Sequence, residues 1–228
     1  MQKHLTIFSV QHTDDKWNDT MSALNDHLQN GQSVALENVT PARLKMFETI
    51  NTVRSKMAHK ESLNAREREY YTKVMPRVSA DPSFAFYMHL YNYLKSKECK
   101  MIPMDSKAAL RKLATLEKKK TKLFGEVISQ NRGKGADAEY ERARDFSDLV
   151  HVAREELVFK KTISTHKPDA VIIGALHSPA LEHYPNSTII HVSNGPHKDI
   201  AQRMVAARKF FAQRKAVRAA KRTAHRRK

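Results

Sequence analysis

The sequence predicts an α/β protein with a mostly parallel sheet of about five strands, an inserted helical layer and a basic C-terminal helix or tail. Short apolar runs alternate with helical patterns along the 228 residues, enough for one such domain plus an appendage. The segment 171–173 is apolar throughout, which is typical of a central strand buried on both faces. We therefore expect an α/β catalytic-like domain over residues 1–197 and a basic helical tail over residues 198–228.

Five segments have the composition of strands. In chain order they are LTIFSV (5–10), SVALE (33–37), CKMIPMD (99–105), AVIIGA (170–175) and STIIHV (187–192). Pro103 has no backbone N–H to donate, so the third strand is expected at a sheet edge. Helical patterns occupy 14–28 and two insertions at about 40–98 and 106–166. The first insertion begins with Thr40 as the helix cap and Pro41 in the first turn.

The second insertion contains two predicted helices. Ser106 precedes a long lysine-rich helix that ends in the loop QNRGKGAD (130–137). This loop does not match the phosphate-binding pattern GxxxxGK[ST], so a solvated linker is expected. The following helix carries an apolar stripe whose members are Phe146, Val150, Ala153 and Leu157. The stripe predicts the face of that helix that is buried.

Composition restricts the compartment and the covalent chemistry. Cys99 is the only cysteine, which excludes an internal disulfide and a thiolate zinc cage. No apolar run approaches the roughly 20 residues that cross a bilayer, and the first residues lack the apolar core of a signal peptide. We therefore expect a soluble cytoplasmic protein without a membrane span.

The net charge of +17 is concentrated at the C-terminal end. From Lys198 onward there are 12 Lys or Arg and one acid, a net +11, which leaves +6 for residues 1–197. Such a segment favours nonspecific binding to nucleic acid or to acidic partners. It has no aromatic residue after Phe211, so base stacking is not expected. The corresponding alternative function is a non-enzymatic basic protein that binds nucleic acid or acidic partners through this tail.

Four of the five predicted strands end next to a side chain that can bind a metal or transfer a proton. These side chains are His12, Glu37, Asp105 and His177. In open parallel sheets ligands bind at the carboxyl ends of the strands, so we expect His12, Glu37 and His177 to converge. Two imidazoles and a carboxylate could hold a divalent ion such as zinc, manganese or iron, or could perform acid–base chemistry without a metal.

Arg154 is a further candidate for the site. It lies four residues from both Val150 and Val158, which places it along the apolar stripe of a predicted helix. Its guanidinium cannot lose its proton. Two interpretations stay open, namely a crevice where it faces substrate charge and a structural ion pair with Glu155 or Glu156.

These motifs resemble a known superfamily. The order IFSVQH, VALE, VAREELVF and DAVIIGALHSPAL resembles TraB/PrgY proteins, TIKI-type metalloproteases and erythromycin-esterase-like hydrolases. Position by position, the resemblance matches His12, Glu37 and Arg154 to residues of the family's site. Gly174 and His177 match its closing G-x-x-H motif, whose histidine completes the site.

The resemblance implies a hydrolase with an α/β core and a polar crevice at the strand ends. Water would be activated by a bound metal or by a histidine, and the substrate would be an unidentified small molecule or peptide. Two residues depart from the family pattern. Ser9 replaces a glycine, and Glu155 replaces the Asn or Asp expected after the arginine.

Overall fold

The computed structural model describes residues 4–76, 83–105, 107–130, 136–182, 184–192 and 198–226. The chain divides into two compact units. The first contains Met1–Ser106 and Thr162–Gly195, and the second contains Lys107–Lys161 and Pro196–Lys228. Each unit is described separately below. The predicted cap Ser106 and most of the loop 130–137 lie outside the described residues.

The first unit is built on a five-stranded, all-parallel sheet, which confirms the predicted fold class. The strands are β1 (Leu5–Val10), β2 (Ser33–Leu36), β3 (Lys100–Pro103), β4 (Ala170–Gly174) and β5 (Ser187–His191). They are arranged in the order β3-β2-β4-β1-β5. The apolar run of β4 is therefore central, as predicted, and β3 with its Pro103 is at an edge.

The helices of the first unit lie between consecutive strands in the sequence. They are α1 (Trp17–His27), α2 (Pro41–Ala58), α3 (Ala65–Glu69) and α4 (Phe84–Ser96). As predicted, Thr40 caps α2, because its side chain accepts a hydrogen bond from the Arg43 N–H. A short α-helix, α7 (Lys160–His166), leads into β4, and the division between the two units falls within it.

One face of the sheet forms the main apolar core of the first unit. Phe8 and Val10 of β1 and Ile172 of β4 are buried there with Phe47 of α2 and Phe86 of α4. These residues alternate with Ile7, Val171 and Ile173 on the opposite face, which are also fully or almost fully buried. Burial on both faces fixes the strand register, and the register determines which residue follows each strand at the carboxyl edge.

The second unit is helical. It contains α5 (Lys107–Gln130), α6 (Ala136–Arg154), a π-helical turn (Glu155–Phe159) that leads into α7, and the long α8 (Lys198–Arg226). Within this unit α5 and α8 both pack against α6. In the part of the chain that the structure describes, no helix is both long and apolar enough to cross a membrane.

The π-helical turn changes the face predicted for the end of α6. Val150 and Ala153 are buried as expected, but Leu157 is 37% exposed. Val158 and Phe159 are buried in its place. A π turn adds a residue to the helical repeat and rotates everything after it, so a stripe extrapolated at 3.6-residue spacing fails at that point. The prediction for Leu157 was therefore wrong.

Candidate functional site

Three of the predicted site residues lie at the carboxyl ends of adjacent strands. His12 follows β1, Glu37 follows β2 and His177 follows β4, and β4 lies between the other two strands. Parallel pairing brings these ends to one edge of the sheet. The predicted convergence follows from the sheet topology. Strand β4 pairs with both β1 and β2, so the carboxyl ends of the three strands are neighbours.

Glu37 is at the centre of this group. It is 4% exposed, and its Oε2 accepts a hydrogen bond of 2.5 Å from the Gly174 N–H. Its Oε1 lies 3.5 Å from Nε2 of His177, which is 5% exposed. A buried carboxylate requires such partners because its desolvation is costly. The Glu37 side chain consequently links the end of β2 to the turn that follows β4.

Gly174 allows this close approach. A Cβ atom at this position would lie 3.3 Å from Oε2 of Glu37 and 3.5 Å from Cε1 of His12. The glycine of the G-x-x-H motif thus provides space for both side chains at the end of β4. The same distances show that the side chains of His12 and Glu37, which follow two different strands, both lie beside Gly174.

The turn after Gly174 holds His177 in place. The His177 N–H donates to the Gly174 carbonyl at 2.9 Å, and the Ala175 N–H donates to the Val10 carbonyl at 2.9 Å. The Ser178 hydroxyl, which is buried, donates to the Ala175 carbonyl at 3.1 Å. These bonds attach the turn to both β4 and β1, so the backbone under the His177 imidazole is well determined.

His12 is the more accessible of the two histidines. It is half-buried, and its ring centroid lies 5.5 Å from that of Phe86 and 5.1 Å from that of Tyr87, both in α4. The two aromatic rings restrict the orientation of the imidazole. His177 is buried as a whole, whereas the His12 side chain is partly exposed although its Nε2 is buried.

Tyr87 and Arg43 belong to this region although the sequence did not indicate them. Burial, and next the charge of Glu37, raise the pKa of the Tyr87 hydroxyl, so this group stays protonated. The guanidinium of Arg43 lies 4.6 Å from the Tyr87 ring centroid and donates to the Asn38 carbonyl at 3.2 Å. Asn38 itself has a φ of 58°, which turns the chain sharply after Glu37.

Asp105, which follows β3, is also buried at this edge of the sheet, with 3% exposure. Its N–H donates to the Val39 carbonyl at 3.2 Å. Its negative charge is among the factors that raise the pKa of Tyr87. Four neighbouring strands thus end in ionisable side chains, as the sequence predicts.

Arg154 and Glu155 belong to the second unit. The guanidinium of Arg154, at the end of α6, lies 5.6 Å from the Phe159 ring centroid. Glu155 is 1% exposed and accepts two hydrogen bonds from Arg208 of α8, at 2.9 and 2.7 Å. The family pattern expects Asn or Asp at this position, and here the glutamate forms a bidentate ion pair within the second unit. A catalytic role for Arg154 stays a prediction.

The geometry does not favour the proposed metal ligands. Among the described residues, no group of three or more His, Cys, Asp or Glu side chains is arranged to hold a metal ion. In particular, Oε2 of Glu37 is engaged by the Gly174 N–H and Oε1 faces His177. Assignment of His12, Glu37 and His177 as a ligand set for zinc, manganese or iron therefore lacks structural support.

Ser9, the other departure from the family pattern, lies within β1 and is fully buried. It is paired with Ile173 of β4 and His191 of β5, two residues before the strand gives way to the segment with His12. A serine is therefore accommodated in a regular strand at this position.

No protein-family model, no curated protein and no solved structure matches this chain.

Proposed function

We propose that the first unit is a hydrolase of the TraB/TIKI/erythromycin-esterase-like type, in which water is activated by histidine and glutamate side chains at the strand ends. The observation that carries the proposal is the convergence of His12, Glu37 and His177 around Gly174. Burial of a carboxylate beside an imidazole is costly unless hydrogen bonds and charge interactions compensate it, and such arrangements concentrate at functional sites.

His12 is the proposed general base. Its side chain is partly exposed although its Nε2 is buried, and an imidazole is suited to removing a proton from water near neutral pH. Glu37 is the proposed source of negative charge that stabilises the protonated form of the imidazole pair. His177, in contact with that carboxylate, is the proposed second imidazole that holds or returns the proton.

Tyr87 and Arg43 supply the hydrogen-bond donor and the positive charge that can stabilise a developing oxyanion. The Tyr87 hydroxyl stays protonated because its pKa is raised, so it can donate a hydrogen bond to a developing oxyanion. Arg43, stacked on the Tyr87 ring, contributes positive charge beside it.

The test is hydrolysis by the purified full chain. The substrates are p-nitrophenyl esters and a mixture of quenched fluorescent peptides, assayed with wild type, His12→Ala and Glu37→Gln. We expect turnover of one of these classes, with kcat/KM lowered about 100-fold or more in both variants. His27→Ala is the matched control, because His27 is exposed at the end of α1. Absence of turnover, or equal turnover in all four proteins, would indicate that the cluster only joins β2 to β4.

Metal analysis of the same samples distinguishes water activation by a histidine from water activation by a bound metal. The histidine branch predicts less than stoichiometric zinc, manganese or iron in wild type and no change in His177→Ala. Stoichiometric metal in wild type that disappears in His177→Ala would instead restore the ligand set of His12, Glu37 and His177. Comparison of circular dichroism spectra shows whether each variant is folded.

A further inference from the structure

The two units differ greatly in net charge. The second unit has 26 Lys and Arg against 10 Asp and Glu, a net +16, whereas the first has 15 against 14, a net +1. Nearly all the charge excess of the protein therefore belongs to the helical unit. Because a large net positive charge attracts polyanions, we expect an anionic partner to bind the second unit.

The first half of α8 uses its cations inside the second unit. Arg203 pairs with Asp148 at 3.0 Å, and Arg208 pairs with the buried Glu155. Met204 and Ala207, which lie between them, are buried. This half of the helix is therefore a packed structural element rather than a free extension, and its two arginines are already engaged by carboxylates.

The second half of α8 has a different pattern. Between residues 212 and 226 the sequence contains six Lys or Arg and no acid. At 3.6 residues per turn these positions fall within an arc of about 140°. We name this set the basic arc, which consists of Arg214, Lys215, Arg218, Lys221, Arg222 and Arg226.

The remaining positions of this half-helix are small or polar. They are Ala212, Gln213, Ala216, Val217, Ala219, Ala220, Thr223, Ala224 and His225. A helix that binds a membrane surface needs bulky apolar residues such as Trp, Phe or Leu opposite its basic residues. Here Val217 is the largest apolar residue, so the composition favours a partner that is recognised by charge alone.

The dimensions of this half-helix suit a nucleic-acid backbone. A straight helix of this length spans about 22 Å, and a duplex carries one phosphate per about 1.7 Å of its axis on two winding strands, so the helix can contact several phosphates. No aromatic residue follows Phe211, so unpaired bases have no ring on which to stack. The pattern therefore favours the phosphates of a double strand over the bases of a single strand.

We propose that the basic arc of α8 binds the phosphate backbone of double-stranded nucleic acid without regard to base sequence. The first half of α8, through Arg203 and Arg208, anchors the arc to the second unit. This binding is independent of the proposed hydrolytic site, which lies in the first unit.

The test measures binding of the full chain to a fluorescent duplex of about 20 base pairs by anisotropy across a range of salt concentrations. The test variant is the triple charge reversal of Arg218, Lys221 and Arg222 to Glu. The matched control reverses three exposed cations of α5, Arg111, Lys118 and Lys122, which changes the net charge by the same amount. Circular dichroism shows whether both proteins are folded.

We expect the reversal in the arc to weaken binding roughly 100-fold and to reduce the slope of log affinity against log salt by about three. The control should retain most of the affinity, and two duplexes of unrelated sequence should bind equally. An equal loss in both triple variants, a strong sequence preference, or binding to phosphatidylserine vesicles but not to duplex would each overturn the proposal.

Discussion

The two units place their ionisable side chains in opposite ways. In the first unit, Glu37, Asp105 and His177 are buried at the carboxyl edge of a parallel sheet, and the net charge is only +1. In the second unit the net charge is +16, and Lys or Arg residues along α5 are exposed. Buried groups act through exact position and local charge, whereas exposed groups act together through a long-range field.

This difference determines how mutations should behave. Substitution of a buried residue in the first unit removes contacts that its close-packed neighbours cannot replace. A change of one surface charge in the second unit removes a small part of a field to which many residues contribute. Glu155 and Asp148 are exceptions in the second unit, because each is a buried carboxylate with a specific arginine partner.

The largest effect is expected for Glu155→Ala. Removal of this carboxylate takes away both bonds to Arg208, and loss of one partner of a buried ion pair costs about 3 kcal/mol in the free energy of unfolding. Urea denaturation measures the loss. The control is Glu126→Ala, whose partner Lys122 is mostly exposed, and it should change stability by less than about 0.5 kcal/mol. Equal effects would contradict the assigned roles.

A smaller effect, opposite in sign between the units, is expected for two Gly→Ala substitutions. In the first unit, Gly174→Ala forces the new methyl group against Glu37 and His12 and should destabilise by about 1 kcal/mol. In the second unit, an added Cβ at the exposed, helical Gly125 meets no atom within 4 Å. Gly125→Ala should therefore stabilise by about 0.5–1 kcal/mol. Thermal melting of both variants checks the signs, and destabilisation by Gly125→Ala would be the adverse result.

The smallest effect at neutral pH is expected for Tyr87→Phe, and it should change with pH. The pKa of Tyr87 is raised in the folded state, so the folded protein keeps this proton above pH 10 while the unfolded chain releases it. Stability should then fall by about 1.4 kcal/mol per pH unit above pH 10 from this group alone. The difference in unfolding free energy between wild type and Tyr87→Phe isolates that contribution. A difference that does not vary with alkaline pH would mean that Tyr87 ionises freely.

Much of the sheet could be predicted because strand signals are local. The apolar runs gave the five strands to within two residues at each end, and the uninterrupted run of β4 predicted its central place. The convergence of His12, Glu37 and His177 could also be predicted, because the carboxyl ends of parallel strands meet at one edge. Neither inference depends on how helices pack.

The remaining features depend on contacts between elements, which the sequence does not encode locally. Tyr87 lies in an aromatic segment and Arg43 in a basic one, and neither segment marks a site in the sequence. Only the packing of helices α4 and α2 brings the two side chains together beside the turn that follows Glu37. The wrong prediction that Leu157 is buried has a related cause. Tertiary contacts bury Val158 and Phe159 of the π turn, and helical periodicity does not predict which residues of such a turn are buried.

We propose that hydrolysis belongs to the first unit and duplex binding to the second. The most direct measurement assays ester or peptide hydrolysis and duplex binding on the same preparations of two folded variants. We expect His12→Ala to lose hydrolysis and keep duplex affinity, and the reversal of Arg218, Lys221 and Arg222 to lose duplex affinity and keep hydrolysis. Loss of both properties in either folded variant would contradict the account.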